Sequence, residues 1–85
     1  METDIDYAWN DIINSAPKTP SAVECQSKCA ETSGCSFFSW NKINGDCWMK
    51  KSDAGRRKIV NVISGPAQCP GLYYWAQFLL ITLVL

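Results

Sequence analysis

The chain has 85 residues, so it holds one domain at most, and a chain this short buries only about 60% of its unfolded surface. Eight Lys/Arg balance eight Asp/Glu, which removes any general pull on nucleic acid, and no nucleic-acid module is apparent. Histidine is missing altogether; that excludes Ser-His and Cys-His nucleophile pairs and the Cys/His zinc patterns, and it makes an enzyme the least expected class.

The start, Met1-Glu2-Thr3-Asp4-Ile5-Asp6, is acidic, lacks an apolar run and does not read as a signal peptide. The five cysteines pull the other way, towards the disulfide framework of a secreted or cell-surface protein. Both are met if the chain is a piece of a longer secreted protein or if its true start lies upstream. Residues 1–18 carry Tyr7, Trp9 and Ile12-Ile13, with Asn10-Asp11 and Pro17 as breaks. The expectation is a short strand around 11–14, with irregular backbone and a loose terminus before it. Asp4 and Asp6 form no calcium loop, because the glycine and the bidentate glutamate of an EF-hand are absent.

A helix follows, to about Thr32. It opens either with Pro20 in the first helical position after a Thr19 cap or two residues later with Ser21 and Glu24 as a capping box. Gly34 supplies a left-handed stop. Ala22, Cys25 and Cys29 define the buried stripe, helped by Val23 or Ala30, since residues four apart share a helix face. Ser36 to Ile43 reads as a strand, Asn44-Gly45 as a type I′ hairpin turn, and Asp46 to Lys50 as the antiparallel return. Ser52 to Lys58 reads as a polar loop. Ile59 to Ile63 is a further strand of high β propensity, ended by Ser64-Gly65-Pro66.

From Ile59 onward no charge occurs, and residues 71–85 are almost wholly apolar. As a helix, Leu72 to Leu85 reaches only about 21 Å, short of the roughly 20 apolar residues that a bilayer core takes. Three readings stand side by side: a truncated membrane span, an anchor signal removed in maturation with Ser64, Gly65 and Ala67 as attachment candidates, and a gene-model artefact. The division expected is a domain over 1–70 and an apolar tail over 71–85, with membrane attachment through residues 72–85 if the tail is genuine.

Taken in order, Asp6-Tyr7-Ala8-Trp9-Asn10-Asp11-Ile12, Glu24-Cys25-Gln26-Ser27-Lys28-Cys29, Cys35-Ser36-Phe37-Phe38-Ser39-Trp40, Cys47-Trp48-Met49-Lys50 and Ser64-Gly65-Pro66-Ala67-Gln68-Cys69 resemble a PAN/apple domain over about residues 4–69. The resemblance implies an α+β fold, a twisted antiparallel sheet packed on one short α-helix and stapled by disulfides. It also implies a non-catalytic extracellular module of adhesion or recognition that binds carbohydrate or protein, uses no cofactor and occurs beside further apple domains in longer chains. Carried onto this sequence, Cys25 pairs with Cys47 and Cys29 with Cys35. Loop closure then contributes roughly 3 and roughly 2 kcal/mol in the entropy model. Apple domains add a bridge from an N-terminal cysteine to the last one; here no cysteine precedes Cys25. Cys69 is therefore unpaired within this chain: its partner lies just upstream of Met1, or it is free, or it pairs between chains. The first option agrees with the missing leader and is favoured.

Two groups of residues are ligand candidates. Of the aromatic set Tyr7, Trp9, Phe37, Phe38, Trp40 and Trp48, core packing is the expectation for Phe38 and Trp40, whereas Trp9 and Phe37 stand evenly between packing and a sugar-stacking or protein-docking surface. Lys50, Lys51, Arg56, Arg57 and Lys58 form a basic run that suits a sulfated glycan or an acidic protein. A solvated loop is the simpler account of it, and the acidic N-terminus is placed to neutralise it. A reduced zinc module is a third, weak reading, since the cysteine spacings form no pair of CxxC knuckles and no metal site is expected. A structural or tethering unit of a longer membrane-anchored adhesin is the main alternative to an autonomous binder.

Overall fold

The computed structural model describes residues 1–13 and 15–68. Its elements are β1 (Glu2–Tyr7), α1 (Ala22–Glu31), β2 (Phe37–Asn41), β3 (Cys47–Lys50) and β4 (Arg56–Pro66). The four strands form one sheet in the order β1-β4-β2-β3, with every pairing antiparallel. This is the α+β, disulfide-stapled arrangement expected from the sequence.

Of the two helix starts, the structure takes the later. Ser21 is the N-cap, with extended backbone, and its Oγ accepts the Glu24 N–H at 3.1 Å. That bond satisfies one of the orphan donors of the first turn, and the Glu24 charge suits the positive end of the helix dipole. At the other end the Thr32 N–H donates to Cys29 O at 3.0 Å, and Gly34 turns the chain at φ +82°. A Cβ on Gly34 would meet nothing within 4 Å, so conformation, not space, calls for glycine there.

The core lies between α1 and the face of the sheet carrying Phe38, Cys47 and Met49. Ala22, Cys25 and Cys29 face it, whereas Val23 and Ala30, expected to help, point to solvent; Ile12, Cys35, Trp40, Ile63 and Ala67 pack around the rim. Cys25 is bonded to Cys47 with Cα atoms 5.4 Å apart, and Cys29 to Cys35 at 5.3 Å. The first bond ties the helix to β3; the second ties it to the segment entering β2. Phe38 is fully buried. Trp40 is half-buried and donates its indole N–H to Thr19 O at 3.0 Å, which gives its polar end a partner.

Several local expectations need correction. The N-terminus is not irregular: Glu2–Tyr7 is an edge strand. Asp4 is ordered within it, accepting the Asn61 N–H at 3.0 Å. Residues 11–13 form no strand. Asp11 makes a single bridge to Lys50 and Ile12 N–H bonds Met49 O at 3.0 Å, so this segment seals the outer edge of β3 without continuing the ladder. Trp9 and Asn10 bring the chain there with φ of 61° and 59°.

The β2–β3 connection is wider than a two-residue type I′ turn. Trp40 pairs with Cys47, Gly45 N–H closes on Asn41 O at 2.8 Å, and Asn44 keeps a negative φ. The Asn41 side chain organises this loop, its Oδ1 accepting from the Ile43 and Asn44 N–H groups. Asn41 thus takes the turn-forming role that the Asn44-Gly45 pair advertises in the sequence.

Finally, β4 is longer than Ile59–Ile63. Arg56, Arg57 and Lys58 belong to it, paired with Tyr7, Asp6 and Ile5, and Ser64-Gly65-Pro66 extend it instead of ending it. Gly65 is tolerated in mid-strand because it gives room: a Cβ there would lie 3.3 Å from Met1 Cα and 3.4 Å from Phe38 Cε1. Cys69 and the tail over 71–85 lie outside the described residues, as does the domain boundary after residue 70. Among the described residues no helix is long and apolar enough to cross a membrane.

Candidate functional site

Strand alternation turns Phe37, Ser39 and Asn41 away from the helix, and their cross-strand partners Lys50, Trp48, Ser64 and Val62 turn with them. On this outer face two serines receive β1. Ser64 Oγ donates to Ile5 O at 2.6 Å, and Ser39 Oγ accepts the Tyr7 N–H at 3.2 Å. Ser39 stands on β2, which β4 separates from β1 in the sheet. Its hydroxyl reaches β1 only because that strand leaves the sheet plane and crosses the outer face.

The pairing register shows where the crossing begins. Thr3 pairs with Ile63 and Ile5 with Lys58, so one β1 residue stands against four of β4. Asp4 and Asn61 take left-handed φ of 58° and 70° at this irregularity. Beyond it, Ile5–Tyr7 and Arg56–Lys58 form a two-stranded ribbon. Tyr7 anchors its underside, buried and edge-to-face with Phe37 at 5.7 Å between ring centroids.

Charge holds the ribbon together. Arg56 Nε donates to Glu2 Oε2 at 2.8 Å, and Arg57 Nε to Asp6 Oδ2 at 3.0 Å. The Tyr7 phenol donates to the other Glu2 oxygen at 2.7 Å. The Arg56 hydrogen bond, with help from that of Tyr7, holds the Glu2 carboxyl below its ordinary range, and Glu2 in turn raises the Arg56 guanidinium. Burial, reinforced by the Glu2 hydrogen bond, pushes the Tyr7 phenol well above its usual value.

Between ribbon and sheet lies a cleft of about 200 Å³. Asp6 and Arg57 line it from the ribbon, Ile59 from β4 just beyond the ribbon, and Ser39, Asn41, Trp48 and Val62 from the sheet. Its aromatic member, Trp48, is half-buried, with the Lys50 ammonium 5.8 Å from its ring centroid.

The sequence-derived candidates are not assembled into one site. Trp9 is 62% exposed, with the Arg57 guanidinium 5.8 Å from its ring centroid. Phe37 is half-buried against Tyr7. Lys50 is 4% exposed and ion-paired to Asp11, so it is withdrawn from the basic run. Arg56 and Arg57 are exposed but each bound to an acid of β1. Lys51 and Lys58 are exposed and make no ion pair among the described residues. The run is thus largely neutralised by Glu2, Asp6 and Asp11. Sequence reasoning misses Ser39 and Asn41, and it reaches Asp6 only as one acid of the N-terminus and Trp48 only as one member of the aromatic set. The signal for them lies in the period-two count from Phe38 and in the match of an acidic Glu2-x-Asp4-x-Asp6 with a basic Arg56-Arg57-Lys58.

The zinc reading fails on chemistry. Four of the five cysteines are in disulfides and have no thiolate to offer. No group of acidic, cysteine or histidine residues suited to a metal occurs among the described residues.

No curated protein matches the chain. The family model for the PAN domain matches residues 5–69, a span that takes in the helix, the two disulfides, the ribbon and the cleft. With that match covering most of the chain, and with a sheet, one helix and stapling bonds as the resemblance implies, the chain belongs to the PAN domain family.

Proposed function

We propose that this chain is an extracellular, non-catalytic recognition module that binds carbohydrate or protein through the sheet face turned away from the helix. One observation carries the reading: the helix and both disulfides sit on one side of the sheet, and the cleft between ribbon and sheet opens on the other. The stapled side supplies rigidity, which limits the ordering cost of binding. The opposite side offers a half-buried aromatic beside polar side chains, the composition of a recognition surface.

Membership of the PAN family supports the extracellular, binding character of the module. The experiment is a paired screen of the oxidised chain on a glycan array and an array of extracellular proteins. Saturable binding to members of either class supports the proposal, and silence on both overturns it.

A second reading, a tethering unit in a longer adhesin, draws on the uncharged sequence from Ile59 to Leu85. It predicts that the oxidised chain partitions into liposomes and that truncation after residue 70 abolishes this.

A further inference from the structure

We infer that the cleft between the β1/β4 ribbon and the outer face of β2–β3 is a binding site for one neutral sugar ring, held by Asp6, Asn41, Arg57 and Trp48. The inference rests on the reading of the chain as a recognition module and assigns the ligand class and place.

Size comes first. A cleft of about 200 Å³ is smaller than the roughly 300–1,000 Å³ of sites for drug-sized ligands, and it suits a single ring. Its charge is balanced. Arg57 and Asp6 are joined by two contacts of 3.0 Å, and Asp6 is the more enclosed, its side chain 14% exposed. An anionic ligand would face the Asp6 carboxylate and a cationic one the Arg57 guanidinium. A neutral polyol uses both without disturbing either.

The hydrogen-bonding inventory points the same way. Asp6 Oδ2 is engaged by Arg57, while Oδ1 takes no hydrogen bond from a described residue. Asn41 has its orientation set by use: Oδ1 accepts two loop N–H groups, so Nδ2 is the end left over, and it donates to no described residue. The Trp48 indole N–H likewise has no acceptor among the described residues. The residues that line the cleft thus carry an acceptor and two donors without a partner among the described residues, beside an aromatic side chain. Adjacent sugar hydroxyls each donate and accept, and the C–H face of the ring is apolar enough to lie on an indole. Val62 and Ile59 close the cleft with apolar surface. The floor is rigid, since Ser39 is 1% exposed and already bonded to Tyr7 and Ser64.

The basic run is poorly suited to a sulfated glycan. Arg56, Arg57 and Lys50 are each committed to a carboxylate. A polyanion would have to displace those acids before it gained the cations.

The test is a two-dimensional NMR titration of the full, oxidised chain. Its separate arms are glucose, galactose, mannose and a heparin-derived sulfated disaccharide. The expected result is that at least one neutral hexose shifts the Asn41 side-chain amide and the Trp48 indole N–H saturably. A ligand of about twelve heavy atoms should bind at about millimolar Kd. Trp48→Ala should weaken that binding about tenfold or more, with Trp48→Phe weakening it less. Asp6→Asn, which keeps the shape and removes the acceptor charge, is the second variant should Trp48→Ala fail to fold, and it too should weaken binding.

No shift with any hexose overturns the assignment. So do shifts mapping to the exposed face of α1, and so does tighter binding of the sulfated disaccharide than of every hexose in the cleft. If the arrays score a ligand whose binding Trp48→Ala and Asp6→Asn leave unchanged, the cleft assignment falls and the recognition module stands. If arrays and titration are both blank, both fall.

Discussion

Ser39 Oγ and Ser64 Oγ lie 2.7 Å apart on neighbouring strands, and their protons are ordered by what each touches. Ser64 donates to Ile5 O, so its single proton is spent. Ser39 must therefore donate to Ser64 while it accepts from the Tyr7 N–H. The result is a one-way relay from the Tyr7 amide through two hydroxyls to the Ile5 carbonyl, and it fixes the backbone of the crossing strand against the outer face. Both serines are essentially unexposed, so no water substitutes for a missing member.

Ser64→Ala strands both the Ile5 carbonyl and the Ser39 proton. We expect it to cost about 2–6 kcal/mol, from roughly 1–3 for each unsatisfied buried group. Ser39→Ala should cost less, because Ser64 keeps its bond to Ile5. The double variant should fall short of the sum by about 1 kcal/mol, as for partners in one network. Urea unfolding of the four species checks this. Strict additivity would mean that the relay is not a unit.

The two disulfides differ in what they constrain. Cys25–Cys47 closes 22 residues and lies wholly inside the core, whereas Cys29–Cys35 closes 6. Replacing the first pair by alanines should cost about 3–5 kcal/mol, the lost loop constraint plus the vacated core space. The second should cost about 2 kcal/mol. Chemical denaturation of each double-alanine variant gives the order; the reverse order would refute the argument.

Much of this architecture is legible in the sequence because its causes are local. The Ser21–Glu24 cap, the helical stripe of Ala22, Cys25 and Cys29 and the strand at Phe37–Asn41 all follow from residues within one turn or one pleat of each other. The parts that escape depend on partners far along the chain. Glu2–Tyr7 looks like an acidic tail until Arg56 and Arg57, more than fifty positions on, are known to lie beside it. The candidate site shares that difficulty: Asp6 and Trp48 meet only because the ribbon folds over the sheet. Lys50 reads as surface cation by type, and only the sealing of β3 by Asn10–Asp11 takes it inside.

Stability should fall at both ends of the pH range for separate reasons. Glu2 has its carboxyl held below the ordinary value of 4.5 by Arg56 and Tyr7. Its contribution is therefore present above about pH 4.5 and is lost as pH falls. Tyr7 is shifted upward from 10.0 by burial and by Glu2. Its contribution is present below about pH 10 and is lost as pH rises, because the unfolded phenol ionises first. Urea midpoints measured across pH should flatten on the acid side in Glu2→Gln and on the alkaline side in Tyr7→Phe. An unchanged acid limb in Glu2→Gln would separate Glu2 from acid unfolding.

Lys50 has a buried ammonium whose carboxylate partner, Asp11, is one-third exposed. Asp11→Ala leaves that cation without its partner. The cost should be about 1–3 kcal/mol, below the roughly 3–5 of a fully buried pair. Lys50→Met removes the cation along with the need for the pair and keeps most of the stem that packs beside Trp48. It should be neutral or slightly stabilising alone, and in its background Asp11→Ala should lose most of its effect. A double-mutant cycle by thermal unfolding measures this coupling.

Gly55 shows the strictest local demand on residue type. It holds φ +80°, and a Cβ added there would lie 2.6 Å from Ala8 O. The same glycine accepts the Ala8 N–H through its own carbonyl at 3.1 Å, which fastens the end of β1 to the start of β4. Relief by moving the carbonyl of Ala8 therefore breaks the contact that positions the ribbon. Gly55→Ala combines left-handed backbone cost with a backbone clash, so it should destabilise by about 2 kcal/mol or more. The loss should appear first as faster amide hydrogen exchange at Asp6, Tyr7 and Ala8, with Cys25 and Phe38 still protected. Gly34→Ala is the control, since it shares the positive φ but meets no atom within 4 Å. It should cost only the conformational part, about 1–2 kcal/mol, and leave exchange along the ribbon unchanged. Equal exchange profiles in the two variants would show that the Ala8–Gly55 approach does not hold the ribbon in place.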